Sequence, residues 1–399
     1  MALRAGRRDG SGDAWTASAG AAVAARRGHP WIYREQLRGP FERHAPGEIV
    51  RVRDPEGAPL GSAVLDPRSP IAARLWTRGD ERLDVGCMRD RIAQALARRD
   101  ALIDAETTAF RCVHGEGDRA PGVVVDRYGD VAVLRLDGEG IAAWAERLAD
   151  PLFEVLRARG VRSLVLRSTE KGAAQKIATL RGQPPPDRLT VAEHGVPFVV
   201  DLAHGQKTGA FLDQRENRRR VGALARGRRV LNLFSYAGGF SLHAARGGAT
   251  RCTSVDVAAG AHATAQASFR AAGIDPDGHD FVTADVFGYL ERAAARGERW
   301  DLVISDPPNM APSAATRGRA LTAYRKLHAL CVKVLSPGGL FCAASCSSHV
   351  SLDDFFGTLA DDALGRSDLR ILEVAGAGPD HPVLAAFPEG RYLEFCVVG

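Results

Sequence analysis

Several apolar runs in this sequence end on residues that could do chemistry. The stretch FCAASCSSHVS (341–351) passes from a strand into serines, with Cys346 among them. A core strand has no need of Ser345-Cys346-Ser347-Ser348 at its tip, and a thiol placed there is a candidate nucleophile. Cys342, earlier on the same run, reads instead as a buried small hydrophobe. Another run ends in Asp306-Pro307-Pro308-Asn309. Its two prolines remove two backbone donors and stiffen a loop that carries an acid. Further runs end in Asp256, in Asp285 followed by Val286-Phe287, and in FSYAGGFSLHAA. There Gly238-Gly239 let the backbone approach a ligand ahead of a helix N-terminus. An acid after a second strand commonly holds a ribose hydroxyl pair. A carboxylate beside an aromatic suits an adenine. Each feature has a plainer reading, an aspartate as helix cap or a glycine pair as a tight turn. Five polar strand ends in register are harder to explain one by one.

The elements that must position these residues follow from patterning. From about residue 220, strand and helix alternate strictly: RVLNLF (229–234), CTSVDV (252–257), DFVTAD (280–285), DLVISD (301–306) and GLFCAAS (339–345). That is the pattern of a doubly wound α/β sheet, whose ligands bind beyond the carboxyl ends of the strands. Residues 16–80 instead carry short strands (Val50 and Val52, Leu60 to Val64, Ile71 to Trp76) broken by Gly and Pro, which suggests a small barrel or sandwich. Between these zones a helix over 84–108, two strands in GVVVDRYGDVAVLRLDG, a helix over 141–159 and the strand RSLVLRS predict a small α+β module. GQPPPDR (182–188) is a stiff link after it. The division expected is 16–82, 83–195 and 196–399, and the stretch up to Trp15 is expected to fray.

The chain has 399 residues, 45% apolar and 25% charged, the mix of a globular protein with two or three domains. No apolar run approaches the roughly 18 residues of a membrane span, and the N-terminus lacks the apolar core of a secretory signal. Seven scattered cysteines form no CxxC pair and no zinc spacing, so no metal is expected and a reduced, cytoplasmic setting is. The net charge is +5, with 48 Arg against 5 Lys. A coding bias accounts for the total, so the local distribution carries more. From Asp201 to Arg229 there are eight basic and three acidic residues, a cluster suited to an anionic partner such as nucleic acid.

NLFSYAGGF, VDV, TAD, DPPNM and SCSS together resemble the ordered motifs of class I S-adenosylmethionine-dependent methyltransferases. More narrowly, HGQKTGAFLDQRENRR (204–219), DHPVLAAFPEGRYL (380–393) and RRGHPWIY (26–33) resemble the RlmI family of 23S rRNA cytosine-C5 methyltransferases, from about Ala17 to Val398. The resemblance implies an N-terminal PUA domain, a central α+β domain and a C-terminal Rossmann-like domain. It implies S-adenosylmethionine as cofactor, held by Phe234, Ser235, Tyr236, Gly238, Asp256, Asp285, Val286, Asp306, Gln214 and Lys207. It implies 23S rRNA as partner, no membrane, and a homodimer as one option. Cys346 and Asp306 would be catalytic, and Pro307, Pro308, Asn309, Arg215, Arg26 and Trp31 would meet the RNA. The sequence departs from the family pattern at Ala237, where Thr is usual, and at Asn309-Met310, where Lys-Phe is usual.

C5 of cytosine is too weak a nucleophile to take a methyl group unaided. A thiolate added at C6 makes C5 enamine-like, so the site of Cys346 is expected to favour the anion, with help from the positive sulfonium of the cofactor, loop N–H groups or the hydroxyls of Ser345, Ser347 or Ser348. Asp306 is expected to read the Watson–Crick edge of a flipped base. Two rivals use the same pocket differently. A methyltransferase acting on a guanine nitrogen needs no thiol, and an RNA-binding assembly factor needs no turnover. A dinucleotide dehydrogenase is disfavoured, because YAGGF lacks the GxGxxG spacing.

Overall fold

The computed structural model describes residues 14–168 and 177–399. Residues 1–13 of the stretch expected to fray lie outside the described residues, whereas Trp15 is buried in the first strand. The chain forms two compact units. The first takes residues up to 103, 110–185 and 380–390; the second takes 104–109, 186–379 and 391–399.

The first unit opens with β1 (Trp15–Ala17), α1 (Ala19–Arg27), β2 (Trp31–Tyr33), β3 (Leu37–Arg38), β4 (Ile49–Arg53), β5 (Pro59–Leu65) and β6 (Ile71–Leu75). These six strands form one sheet in the order β2-β6-β5-β4-β1-β3 around Trp15, Ile32, Val52 and Leu65. The expected strands at 50–52, 60–64 and 71–76 are β4, β5 and β6. α2 (Val85–Leu102) starts on Asp84, whose side chain accepts from the Cys87 N–H at 2.8 Å, a standard N-cap. Then come β7 (Ala109–His114), β8 (Val123–Tyr128), β9 (Val131–Leu136), α3 (Glu139–Ala142), α4 (Ala145–Arg157), β10 (Ser163–Arg167) and β11 (Ile177–Gly182). Their sheet runs β11-β10-β9-β8-β7, and α2 and α4 cover a second core built on Ile92, Leu134 and Leu152.

The second unit begins with a hairpin, β12 (Arg188–Glu193) and β13 (Val196–Asp201), and then α5 (Arg215–Leu224). A βαβ series follows: β14 (Arg229–Leu233), α6 (Gly239–Arg246), β15 (Arg251–Asp256), α7 (Ala259–Ala271), β16 (Asp280–Thr283), α8 (Val286–Ala295), β17 (Trp300–Ser305), α9 (Arg317–Lys333), β18 (Leu335–Ser345), α10 (Leu352–Leu359), β19 (Ile371–Ala375) and β20 (Glu394–Val398). The sheet order is β16-β15-β14-β17-β18-β20-β19, with β20 antiparallel to both of its neighbours. The five parallel strands are those expected. The antiparallel pair β19–β20 was not foreseen.

Alternation along the strands builds two cores, one on each face of this sheet. Leu231, Val303, Phe341 and Ala343 meet α8, α9 and α10 on one face. Val230, Leu302, Ile304 and Cys342 meet α5 and α6 on the other. Cys342 is fully buried there, as expected of a small hydrophobe.

One buried ion cluster ties the hairpin to the sheet layers. Glu193, at the end of β12, takes Arg218 Nε at 2.8 Å and Nη2 at 2.5 Å, and His243 Nε2 stands 3.5 Å away. Burial alone would raise its pKa, but the charge of Arg218 and hydrogen bonds from His243 and Arg218 carry it down to about 2. A carboxylate depressed in this way adds stability that is present above its unfolded pKa, near 4.5, and fades as pH falls toward 2. Glu193→Gln is expected to cost about 3 kcal/mol at pH 7, because it strands Arg218. In urea titrations from pH 7 to pH 3, the gap between variant and wild type should narrow as pH falls.

Candidate active site

The register of two neighbouring parallel strands sets the site. β17 pairs with β18 through Ile304 with Cys342 and Ser305 with Ala343. Asp306 therefore leaves one strand just where Ser345 and Cys346 end the next. Strand alternation turns Ser345 toward the face of α9, where Tyr324 is fully buried. The Tyr324 hydroxyl reaches Ser345 Oγ at 2.9 Å and Ser347 Oγ at 3.1 Å. Ser347 Oγ in turn accepts from the Met310 N–H at 3.1 Å and the Ala311 N–H at 3.3 Å. Asn309 Oδ1 accepts from the Ala311 N–H at 2.9 Å. The serines expected to assist the thiol thus brace the proline loop instead, and Ser348 is exposed. Tyr324 carried no signal in the sequence.

Cys346 is half-buried, and its thiol points at the Pro307 carbonyl at 3.7 Å. The other cysteines of this unit, Cys252, Cys331, Cys342 and Cys396, are all buried. Burial, together with the charge of Asp306, pushes the Cys346 thiol up to about 11. The protein groups around Cys346 thus favour the thiol over the anion. Burial and then the neighbouring charge of Asp213 push Asp306 up to about 7, against the opposing pull of Lys207, a Gln214 hydrogen bond and Arg218.

The 204–219 segment supplies that surrounding. Lys207 Nζ donates to Asp213 Oδ2 at 2.7 Å and lies 4.3 Å from the Phe211 ring centre. The Tyr392 hydroxyl donates to the same carboxylate oxygen at 2.7 Å. The Gln206 N–H donates to the Tyr236 hydroxyl at 2.8 Å. Gln214 is buried, and its Oε1 accepts from Asn217 Nδ2 at 2.6 Å. Lys207, Phe234 and Tyr236 have left-handed backbones, at φ 52°, 55° and 44°. Such conformations in residues other than glycine concentrate where a ligand shapes the loop. Gly238 at φ 72° faces Ala265, whose Cβ would lie 2.8 Å from any Cβ at 238, so only glycine fits this turn.

The remaining expected cofactor residues fall along the same strand ends. Asp256 accepts the Tyr236 N–H and the Ala258 N–H, each at 2.8 Å, and keeps a second lone pair on each oxygen. Asp285 is exposed and caps α8 through the Gly288 N–H at 2.8 Å, so its capping role is present in full. Ser235 is buried, and its hydroxyl has no partner among the described residues. An orphan hydroxyl, four acids and a single lysine already paired suit a ligand with a cationic centre and hydroxyl groups.

Several of the expected residues are placed differently from the expectation. The Val286 side chain lies in the core, which leaves only its backbone for a ligand. Arg215 is 1% exposed and paired with Glu216 at 3.2 Å, so it is no surface contact for RNA. The basic cluster of 201–229 is largely spent on ion pairs: Arg218 with Glu193, Arg219 with Glu216 and Arg220 with Glu373. Pro307 is buried, while Pro308 and Asn309 are exposed at the loop tip. Arg26 and Trp31 belong to the first unit. Arg26 is exposed and pairs with Asp54. The Trp31 indole donates to Glu116 at 2.8 Å and packs edge-on against Phe387 at 4.6 Å, so it is not a free stacking surface. Among the described residues no group could hold a metal ion, and no helix is long and apolar enough to cross a membrane.

This sheet order, with an antiparallel final pair and acids at successive strand ends, is that of a class I S-adenosylmethionine-dependent methyltransferase. Residues 153–386 match the S-adenosylmethionine-dependent methyltransferase family and residues 18–78 the PUA-like domain. A ribosomal RNA large subunit methyltransferase from Deinococcus radiodurans is 39% identical, over 92% of this chain and 93% of its own. A ribosomal RNA large subunit methyltransferase I from Photobacterium profundum is 36% identical, over 92% and 94%. Among solved structures, a chain from Streptococcus mutans described as SAM-dependent superposes with a TM-score of 0.84 at 25% identity, over 96% of this chain and 98% of that one. A methyltransferase complexed with SAH gives the same figures. The chain belongs to the ribosomal RNA large subunit methyltransferase I family, and its cofactor is S-adenosylmethionine.

The coupling of Asp306 to Cys346 has a direct readout. In a Cys87→Ser background, Asp306→Asn should speed iodoacetamide labelling of Cys346 at pH 8. The gain should reach up to about tenfold, the equivalent of one pKa unit, read by peptide mass spectrometry. Unchanged labelling would mean the two groups do not interact.

Proposed function

We propose that this protein methylates C5 of a cytosine in large-subunit ribosomal RNA through a covalent adduct between Cys346 and C6 of the base. The observation that carries the reading is the single half-open thiol of the second unit, placed at a strand tip beside the Asp306 loop. The names of the relatives support the ribosomal substrate. A nitrogen methyltransferase would have no use for this thiol.

The residues divide the work as follows. Protonated Asp306, available because its pKa stands near 7, donates to N3 of the flipped base and draws electron density from C6. Neutral Asp306 also ceases to oppose thiolate formation at Cys346. The thiolate adds to C6, and the π electrons of the C5–C6 bond become available at C5. S-adenosylmethionine, when bound, supplies the electrophilic methyl group. Loss of the C5 proton to solvent water and departure of the thiolate restore the double bond, the N3 proton returns to Asp306, and Cys346 is free for the next turnover. Ser347 and Tyr324 hold the proline loop, so that Asp306 and Cys346 address one base together. The orphan Ser235 hydroxyl, Asp256 and Asp285 hold the cofactor. The 16–82 domain contributes RNA contacts apart from the target base.

The test is nucleoside mass spectrometry of 23S rRNA incubated with S-adenosylmethionine and enzyme. Wild type should yield 5-methylcytidine, and Cys346→Ala should lower its formation by at least about 10³-fold. Undiminished transfer by the variant, or methyl groups on guanine, would overturn the reading. Ser347→Ala should keep the product but lower kcat about tenfold, a loss of about 1.4 kcal/mol in positioning the loop.

A further inference from the structure

We infer that Gln214 is a positioning residue for Asp306, and that Asn217 and Arg220 fix the direction in which its amide acts. The inference rests on the reading of Asp306 as proton donor to the base, and deepens it by assigning which Asp306 oxygen carries that proton.

Gln214 closes the short turn Leu212–Gln214 and directly precedes α5. Asn217 and Arg220 follow at intervals of three, so the three side chains share one face of the helix. Gln214 is 2% exposed and Asn217 is fully buried. Amides so deeply placed must find their hydrogen-bond partners within the protein.

The direction of the relay follows from groups that have only one role. A guanidinium can only donate, and Arg220 Nη1 donates to Asn217 Oδ1 at 3.2 Å. A backbone carbonyl can only accept, and that of Gly376, just past β19, accepts from Asn217 Nδ2 at 3.1 Å. The Asn217 amide is therefore oriented from both ends. The same Nδ2 donates to Gln214 Oε1 at 2.6 Å. This leaves Gln214 Nε2 to make the hydrogen bond that Gln214 has with the Asp306 carboxyl group. Arg220 is itself anchored on β19, through Glu373 at 2.7 Å. The edge strand thus takes part in the site without touching it.

One Asp306 oxygen therefore receives an N–H. An oxygen already accepting from an N–H is the poorer seat for a proton, so the acid form of Asp306 carries its proton on the other oxygen. With the Gln214 amide reversed, a carbonyl oxygen would face Asp306 and draw that proton toward itself, away from a base. The bond also favours the carboxylate. Burial and the charge of Asp213 raise Asp306, and Gln214, with Lys207 and Arg218, opposes them. Each end of the Gln214 amide is engaged by a protein group, so its part in the site runs through Asp306.

The test uses the full chain in the Cys87→Ser background and reads iodoacetamide labelling of Cys346 at pH 8 by peptide mass spectrometry. Gln214→Met keeps the length of the side chain and removes its hydrogen bonds. Asp306 then holds its proton to higher pH and ceases to oppose the thiolate, so labelling should rise about threefold, within the tenfold that one pKa unit allows. In an Asp306→Asn background the same substitution should change nothing, because the group it acts through is gone. With 23S rRNA as substrate, Gln214→Met should lower kcat for 5-methylcytidine about tenfold. It should also move the alkaline limb of kcat/KM to higher pH. Asn217→Ser leaves Gln214 in place but free to turn, and should move both readouts the same way by less. Unchanged labelling in Gln214→Met, an equal rise without Asp306, or an unmoved alkaline limb overturns the inference. Labelling as expected, with no 5-methylcytidine from wild type, overturns the cytosine reading and leaves the coupling of Gln214 to Asp306 standing.

Discussion

The pairing of β17 with β18 is the constraint on which the site depends. Neighbouring parallel strands stand about 4.8 Å apart and cannot slip by one residue without exchanging their buried faces. Leu302 and Ile304 belong to one core and Val303 to the other, so the register is fixed from both sides. Asp306 and Cys346 inherit that fixity as the first residues beyond the sheet. Tyr324 extends it into the loops, since one hydroxyl joins Ser345 and Ser347, and Ser347 holds two backbone amides of the proline loop.

The electrostatics of the site favour a resting state. Asp306, Asp256 and Asp285 stand at strand ends and Asp213 in the turn before α5, where it holds Lys207. Burial first, and then the charge of Asp213 on Asp306 and of Asp306 on Cys346, raises both groups. On the proposed reading, a cationic methyl donor and a base that hydrogen-bonds Asp306 each remove part of that penalty, so the thiol becomes reactive only in the assembled complex. On that reading Cys346 is shielded from adventitious electrophiles until then, and the grip of Lys207 and Tyr392 on one carboxylate serves the same end.

The sequence made the parallel part of the sheet legible because buried parallel strands are continuous apolar runs ending in polar residues. β14 to β18 were visible for that reason, and so was the contrast between Cys342 and Cys346. β19 escaped because Ile371, Leu372 and Val374 are exposed on an edge, which leaves a weak pattern. Charge was misread more often than hydrophobicity. Arg215 and Arg218 look like nucleic-acid contacts in a string of arginines, yet Arg215 is buried and paired with the next residue of α5, Glu216, and Arg218 with Glu193 of a separate hairpin. Serines near a thiol look like activators, yet strand alternation turns Ser345 to the other side. Tyr324 and Ser347 act through tertiary contacts that no spacing announces.

The most direct test of the covalent reading uses RNA in which cytidines are replaced by 5-fluorocytidine. Fluorine at C5 cannot leave as a proton, so an enzyme that adds a thiolate at C6 and transfers methyl to C5 remains attached to the RNA. The account predicts an RNA–protein band that survives denaturing electrophoresis, depends on S-adenosylmethionine, maps to the peptide containing Cys346 and is absent from Cys346→Ala. Methyl transfer to unmodified RNA with no such band, or a band that persists in Cys346→Ala, would contradict it.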